Sequence, residues 1–148
     1  MKQEEKELLL QDLCSRLPYG IKCQVQEDEY TYIGTLCRIE VDNKNGYLLD
    51  FVETISGLDC QVYLTEVKPY LFPLTEDILD KATEESNKLY RELICIDSIY
   101  KENNDVKVLQ LQAQLKSSVI KYFLIHHIDY NGLIEKGLAI DATNLNIY

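Results

Sequence analysis

The sequence has no tryptophan, and its 148 residues include only one methionine, three prolines and two histidines. The five cysteines are an odd number and include no CxxC pair, so the disulfide framework of a secreted protein is not indicated. We expect these thiols to be reduced and buried as small apolar side chains, which favours the cytoplasm. No apolar run approaches the roughly 20 residues that cross a bilayer, and the charged segment Met1–Glu7 does not resemble a signal peptide. These absences predict a cytoplasmic protein that does not enter a membrane.

Basic residues are also scarce, and the formal net charge is -10. Residues 1–74 contain 7 bases and 13 acids, and residues 75–148 contain 8 and 12, so the two halves carry -6 and -4. Acidity that is spread along the chain repels phosphate backbones, and a nucleic-acid partner is therefore not expected. The simplest interpretation of this net charge is that it keeps the protein soluble. An acidic mimic of DNA that inhibits a DNA-binding protein stays open as an alternative, although the longest acidic run is only Glu27–Glu29.

A chain of this length predicts a single domain over residues 1–148, with enough buried surface to fold without a metal, a cofactor or a disulfide. Its first part, residues 1–20, contains a helix over residues 3–16. Acidic residues lie in the first turns of this helix, and Pro18 and Gly20 end it. The apolar stripe predicted for the helix consists of Leu10, Leu13, Cys14 and Leu17.

The second part, residues 21–74, has the two-residue alternation of a sheet. Gly34 predicts a bulge or bend in a long strand, and Asn45-Gly46 predicts a hairpin turn. A further strand is expected over residues 60–67. Lys68–Leu74 is predicted to be a connector, because its two prolines forbid a helix. Short turns between successive strands predict a four- to five-stranded antiparallel sheet or a small SH3-like barrel.

The third part, residues 75–148, is predicted to be helical. Thr75 caps the first helix, whose end is ambiguous because residues 93–100 fit either a helix or a short strand. A second long helix is expected over residues 106–127, followed by a short turn capped by Asp129 and an edge strand at Leu138–Ile140. The predicted fold class is therefore α+β, with an N-terminal helix, a sheet or barrel, and two to three C-terminal helices.

Both histidines of the chain lie in one segment near two acids, which raises the question of a metal or acid–base site. The candidates for catalysis are His126, His127, Asp129 and Glu135. Adjacent histidines on a helix point about 100 degrees apart, whereas helical metal sites use i, i+4 spacing. We therefore expect one histidine to pack inward and the other to lie at the helix C-terminus, with no metal bound.

Tyrosine is abundant, with 11 residues, and it is concentrated in the β unit. Aromatic side chains on a small sheet serve packing or a protein interface, and base stacking would need more basic residues than residues 21–70 contain. The candidate binding residues are Tyr30, Tyr32, Tyr47, Tyr63, Tyr70 and Phe72.

Three segments carry a resemblance: Glu4–Gly20, Val67–Leu74 and His126–Ala139. Together they resemble a family of small uncharacterised proteins from Bacteroidetes gut bacteria and their prophages. The resemblance implies a bacterial or phage cytoplasm as the setting, and it implies no activity.

The sequence favours a cytoplasmic, non-catalytic binding or accessory protein that acts through a protein–protein interface and is encoded by a prophage or mobile element. A metal- or histidine-dependent enzyme that uses the His126–Asp129 segment is the alternative from a different class. We expect a protein partner and no cofactor, and the residue pattern leaves the oligomeric state open.

Overall fold

A computed structural model describes residues 1–27, 29–42, 46–97 and 117–148 of the chain. The chain forms two compact units. The first unit, here called the sheet unit, combines residues 1–73 with residues 127–148, and the second, the helical unit, comprises residues 74–126. The helical unit is thus inserted between two parts of the sheet unit along the chain.

The sheet unit begins with helix α1, Gln3–Arg16, and this predicted helix is confirmed. Its buried face consists of Leu9, Asp12, Leu13 and Arg16, whereas Cys14 is exposed. The predicted apolar stripe is therefore confirmed only in part: Leu13 is buried and Leu10 and Leu17 pack against the core, but the fully buried face is rotated away from Cys14. The reason is that two charged residues, Asp12 and Arg16, pair with each other and are buried as a pair, which hydropathy alone does not indicate.

Across the described residues, the sheet has seven strands. They are β1 (Lys22–Glu27), β2 (Tyr30–Asp42), β3 (Gly46–Glu53), β4 (Asp59–Tyr63), β5 (Val67–Pro73), β6 (Ile128–Asp129) and β7 (Ile140–Asp141). The first five are antiparallel in the order β4-β3-β2-β1-β5, and β6 and β7 each pair with β5 in parallel. The α+β class is confirmed, but a purely antiparallel sheet of four to five strands was wrong. The predicted edge strand Leu138–Ile140 overlaps β7 only at Ile140, and β6 was not predicted, because strands of two residues are too short to show a periodic pattern.

The segment Lys68–Leu74 is not a connector, because most of it belongs to strand β5. Proline fixes φ in a range that an extended strand tolerates, and Pro69 lies opposite Cys23 of β1. Consecutive buried residues such as Tyr70 and Leu71 hide the alternation that identifies a half-buried strand. The strand predicted over residues 60–67 is likewise interrupted by the 3-10 helix Leu64–Glu66.

The core of the sheet unit lies between α1, the five long strands and the C-terminal segment. Its buried members include Leu9, Leu13, Ile21, Val25, Leu36, Leu49, Phe51, Leu71, Leu133 and Leu138. Among the cysteines, Cys23 is buried and Cys60 is half-buried, but Cys14 and Cys37 are exposed, so the prediction of uniformly buried thiols was wrong. The reason is that a cysteine can match the apolar pattern of a helix or strand and still lie on its exposed side, as Cys14 does on α1 and Cys37 does on β2.

Two turn predictions in the β unit have different outcomes. The register shift in β2 lies between Leu36 and Arg38 rather than at Gly34. A side chain at Gly34 would instead place its Cβ 3.0 Å from Cβ of Phe51, so this glycine serves a close approach of two strands. The predicted Asn45-Gly46 turn lies largely outside the described residues, although Asp42 and Gly46 pair on either side of it.

The helical unit contains α2, Glu76–Asp97, and a helix over residues 117–125. The Thr75 hydroxyl accepts a hydrogen bond from the backbone N–H of Ile78 at 3.4 Å, which confirms the predicted cap. Helical backbone continues to Asp97, and residues 98–100 lie outside the described part, as does the first half of the predicted helix 106–127. No helix among the described residues is both long enough and apolar enough to span a lipid bilayer.

Candidate functional site

Strand β4 forms one edge of the sheet. Within the described ranges it pairs only with β3. The N–H of Glu53 donates to the carbonyl of Leu58 at 2.9 Å, so these opposite residues form a hydrogen-bonded pair. Hydrogen-bonded and non-hydrogen-bonded pairs alternate along an antiparallel ladder, and the next hydrogen-bonded pairs are therefore Phe51/Cys60 and Leu49/Val62. The backbone groups of Asp59 and Gln61 therefore point away from β3.

The outward N–H of Tyr63, the last residue of β4, is already bonded. It donates to the carboxylate of Glu66 in the following 3-10 helix at 2.7 Å. The available part of the edge thus comprises the N–H and C=O groups of Asp59 and Gln61. An edge of this kind is a template for pairing with another extended chain.

A depression of about 380 Å³ lies at the N-terminal end of β4, and we call it the acidic depression. Residues of strands β1 to β4 and of the β3–β4 turn supply its walls, namely Glu27, Tyr30, Thr31, Tyr32, Glu53, Leu58, Asp59 and Cys60. Three of these residues are carboxylates, and none of the described residues that line the depression is a lysine or an arginine. The site is therefore a negatively charged hollow with aromatic and apolar walls.

The hydroxyl of Tyr32 is buried in the wall of the acidic depression, and no hydrogen bond of ordinary geometry within the described residues satisfies it. Burial raises the pKa of Tyr32, and the neighbouring Cys60, Glu27 and Glu53 raise it further. Burial is also the main reason that the pKa of the Cys60 thiol is raised. A raised pKa lowers the fraction of the thiol that is in the nucleophilic thiolate form.

The rim of this end of the sheet exposes large apolar side chains. Tyr30 is 77% exposed, and Ile55 and Leu58 of the β3–β4 turn are 93% and 68% exposed. The turn is held by the Ser56 hydroxyl, which donates to the Glu53 carboxylate and accepts from the N–H of Leu58. Apolar side chains presented on an ordered turn are typical of an interaction surface.

A second depression, of about 170 Å³, lies at the other end of β4, and we call it the helix depression. Tyr47 and Tyr63 line it from the sheet, and Gln3, Lys6 and Glu7 line it from α1. Four of the five candidate tyrosines thus form two pairs, Tyr30 with Tyr32 and Tyr47 with Tyr63, at the two ends of the same edge strand.

The remaining candidate binding residues, Tyr70 and Phe72, lie on β5 and contact the C-terminal segment. Tyr70 is buried, and its carbonyl accepts a hydrogen bond from the Tyr148 hydroxyl at 2.8 Å. The Phe72 ring lies 5.9 Å from the Tyr148 ring. These two residues therefore hold the C-terminal segment against β5 and do not line either depression.

The structure places the two histidines in different units. His127 belongs to the sheet unit, is buried, has a left-handed backbone (φ 54°), and stacks on Tyr148 with 4.1 Å between ring centroids. His126 belongs to the helical unit, follows the helix that ends at residue 125, and contacts Tyr122 of that helix, with ring centroids 4.3 Å apart. Each imidazole thus has an aromatic neighbour in its own unit.

The two acids of the same segment have separate roles. Both carboxylate oxygens of Asp129 accept backbone hydrogen bonds, from Leu133 and Ile134 at 2.8 Å each, which makes Asp129 the cap of the following turn as predicted. Glu135 is exposed. Among the described residues, no group of three or more potential ligands is arranged to hold a metal ion.

The sequence pattern did not identify the acidic and apolar residues of the β4 end, namely Glu27, Glu53, Ile55, Leu58 and Cys60. One signal was present for two of them. Ile55 and Leu58 flank the turn dipeptide Ser56-Gly57, where polar residues are the norm, so their apolar side chains indicate an exposed patch. The carboxylates gave no signal because they come together only through the strand pairing.

Comparisons with known proteins identify no relative: no family model matches the chain, and neither a curated protein nor a solved structure matches it.

Proposed function

We propose that this chain is a non-catalytic binding protein that recognises a protein partner through the β4 end of its sheet. The observation that supports the proposal best is the combination of Tyr30, Ile55 and Leu58, all largely exposed, with the acidic depression beside them. Apolar anchors with a charged surround are the usual composition of a protein interface. The raised pKa of Cys60 and the occupied oxygens of Asp129 support binding over catalysis.

We further propose that β1 to β5 form a small SH3-like barrel. The strand order β4-β3-β2-β1-β5, the 3-10 helix between β4 and β5, and the proximity of β1 to β4 support this assignment. Small barrels of this kind bind peptides on an aromatic-lined surface, and that support comes from fold analogy. A cytoplasmic accessory protein of a mobile element is the setting that the three resembling segments suggest.

A peptide library displayed on phage tests the proposed interface even though the partner is unidentified. The immobilised chain is expected to enrich a family of peptides, and the variant Leu58→Asp is expected to lose them, because a charge replaces an apolar anchor. Val41→Asp is the matched control, since Val41 is 72% exposed on β2 but lines neither depression.

Two results would contradict the proposal. The first is a library that yields no enriched family. The second is an enriched family that binds Leu58→Asp as well as the parent chain, which would place the binding surface elsewhere. Thermal unfolding of each variant shows whether the sheet unit is intact before binding is compared.

A further inference from the structure

We infer that the partner binds as an extended, basic segment that adds a strand to the free edge of β4. This inference rests on the proposed function and names the conformation and charge of the partner. It joins the two depressions into one surface, because β4 runs from the acidic depression at Asp59 to the helix depression at Tyr63.

The backbone of β4 supplies the recognition groups. The outward N–H and C=O groups of Asp59 and Gln61 lie two residues apart, which is the repeat at which an added strand forms its hydrogen bonds. The inward groups of Cys60 and Val62 are already paired with β3. An added strand therefore has four backbone groups to bond without disturbing the existing sheet.

The dimensions of the edge fit a short segment. Five residues of strand span roughly 17 Å at about 3.4 Å per residue, so a segment of similar length reaches from one depression to the other. Tyr30 and Tyr32 lie at one end of this path, and Tyr47 and Tyr63 lie at the other. Alternate side chains of the segment would contact these aromatic walls.

Charge complementarity determines which segment fits. Glu27, Glu53 and Asp59 surround the first end of the path, and the chain as a whole carries -10. Lysine or arginine side chains on the added strand would contact these carboxylates, whereas an acidic segment would be repelled.

A second copy of the chain fits the edge less well. Strand β5 already pairs with β1, β6 and β7, and its Pro69 has no N–H to donate, so β5 is a poor edge for β4 of another copy to join. Pairing two β4 edges would bring two acidic depressions of a -10 chain together. A basic segment of a different protein is the occupant that the charges favour.

Synthetic octapeptides test the inference directly on the full chain. In the probe, lysine alternates with tyrosine and valine, and in its matched control every lysine is glutamate. The lysine peptide is expected to bind at least about tenfold more tightly than the control. Amide hydrogen exchange at Asp59 and Gln61 is expected to slow by about tenfold or more when the lysine peptide is bound.

Substitution of Gln61 separates backbone from side-chain recognition. Gln61→Pro removes an N–H that points away from β3, a position where an edge strand tolerates proline, and it is expected to weaken peptide binding about tenfold. Gln61→Ala removes the side-chain hydrogen bond to Asp50 but keeps the N–H, and it is expected to bind like the parent. If Gln61→Pro does not fold, the exchange rates at Asp59 and Gln61 in the parent chain decide the question.

The outcomes distinguish this inference from the function on which it rests. If neither octapeptide binds, or binding leaves exchange at Asp59 and Gln61 unchanged, strand addition is wrong. The proposed interface still stands in that case if displayed peptides require Leu58. If the displayed peptides also bind Leu58→Asp as tightly as the parent chain, then both the proposed interface and the strand addition are wrong.

Discussion

Arg16 and Asp12 form a bidentate ion pair on α1, in which Nε of Arg16 lies 2.6 Å from Oδ2 of Asp12 and Nη2 lies 3.0 Å from Oδ1. Neither side chain is exposed to solvent. The same Nη2 donates to the carbonyl of Ile128 at 2.8 Å, and Asn131 donates to Asp12 at 2.9 Å. The pair therefore connects the first helix to the segment that follows residue 126. It joins the beginning and the end of the sheet unit.

Breaking this pair is expected to destabilise the sheet unit strongly. Arg16→Met or Asp12→Leu alone leaves one buried charge without its partner, which costs about 3–5 kcal/mol of unfolding free energy. The double variant removes both charges and is expected to recover a large part of that loss. Urea denaturation measures the difference, and Arg38→Met, which removes an exposed ion pair with Asp50, is expected to have little effect. A double variant as unstable as the worse single variant would contradict this account.

Gly34→Ala is expected to destabilise the chain by about 1–3 kcal/mol, because the added methyl group would lie 3.0 Å from Cβ of Phe51. Equilibrium unfolding of Gly34→Ala and of the parent chain measures this loss. Where the backbone has room for a side chain, replacing glycine by alanine leaves stability unchanged or raises it, and such a result would contradict the close approach of the two strands.

Tyr148 is expected to make stability depend on pH in the alkaline range. Although 44% of the residue is exposed, its hydroxyl points inward to the Tyr70 carbonyl, and desolvation raises its pKa. The unfolded chain therefore releases this proton first, near the ordinary tyrosine pKa of about 10, and stability is lost as the pH rises above that value.

The variant Tyr148→Phe tests this dependence. It lacks the hydrogen bond and is expected to be about 1 kcal/mol less stable than the parent at neutral pH. Above pH of about 10 the difference between the two chains is expected to shrink, because only the parent has this proton to lose. Urea titrations at pH 8 and pH 10.5 provide the measurement, and a constant difference would contradict the prediction.

Asp129 is expected to act as a structural cap rather than as a metal ligand. Asp129→Ala removes both acceptors from the N–H groups of Leu133 and Ile134 and is expected to cost about 1–3 kcal/mol, whereas Asp129→Asn keeps one oxygen and is expected to cost less. Zinc added to chelator-treated protein is expected to produce no stoichiometric heat of binding. Stoichiometric binding that Asp129→Asn abolishes would restore the histidine segment as a metal centre.

The α1 helix, the first strands and the Asp129 cap were predictable because each produces a local pattern. The seven-stranded mixed sheet of the described residues was not, because β6 and β7 contribute two residues each and are defined by their partner β5. The buried Asp12–Arg16 pair has the i, i+4 spacing of an ordinary surface pair, and only its tertiary contacts distinguish it.

The candidate site was predictable to a similar extent. A high tyrosine content suggested aromatic surfaces, and four of the six candidate binding residues do line depressions at the two ends of β4. The other two, Tyr70 and Phe72, contact the C-terminal segment instead, which the sequence did not indicate because their partner, Tyr148, lies far along the chain. The free edge of β4 follows from the strand order, and no local pattern reveals a strand order.

The point at which the chain leaves the sheet unit is next to the point at which it returns. The N–H of Phe72 donates to the carbonyl of His127 at 2.9 Å, and Phe72 pairs with Ile128. Because these two points are already held together, doubling the length of the segment between them costs only about 0.6 kcal/mol of loop-closure entropy. The sheet unit is therefore expected to tolerate an inserted segment of a different length, such as a reporter domain, after Leu74 with little loss of stability.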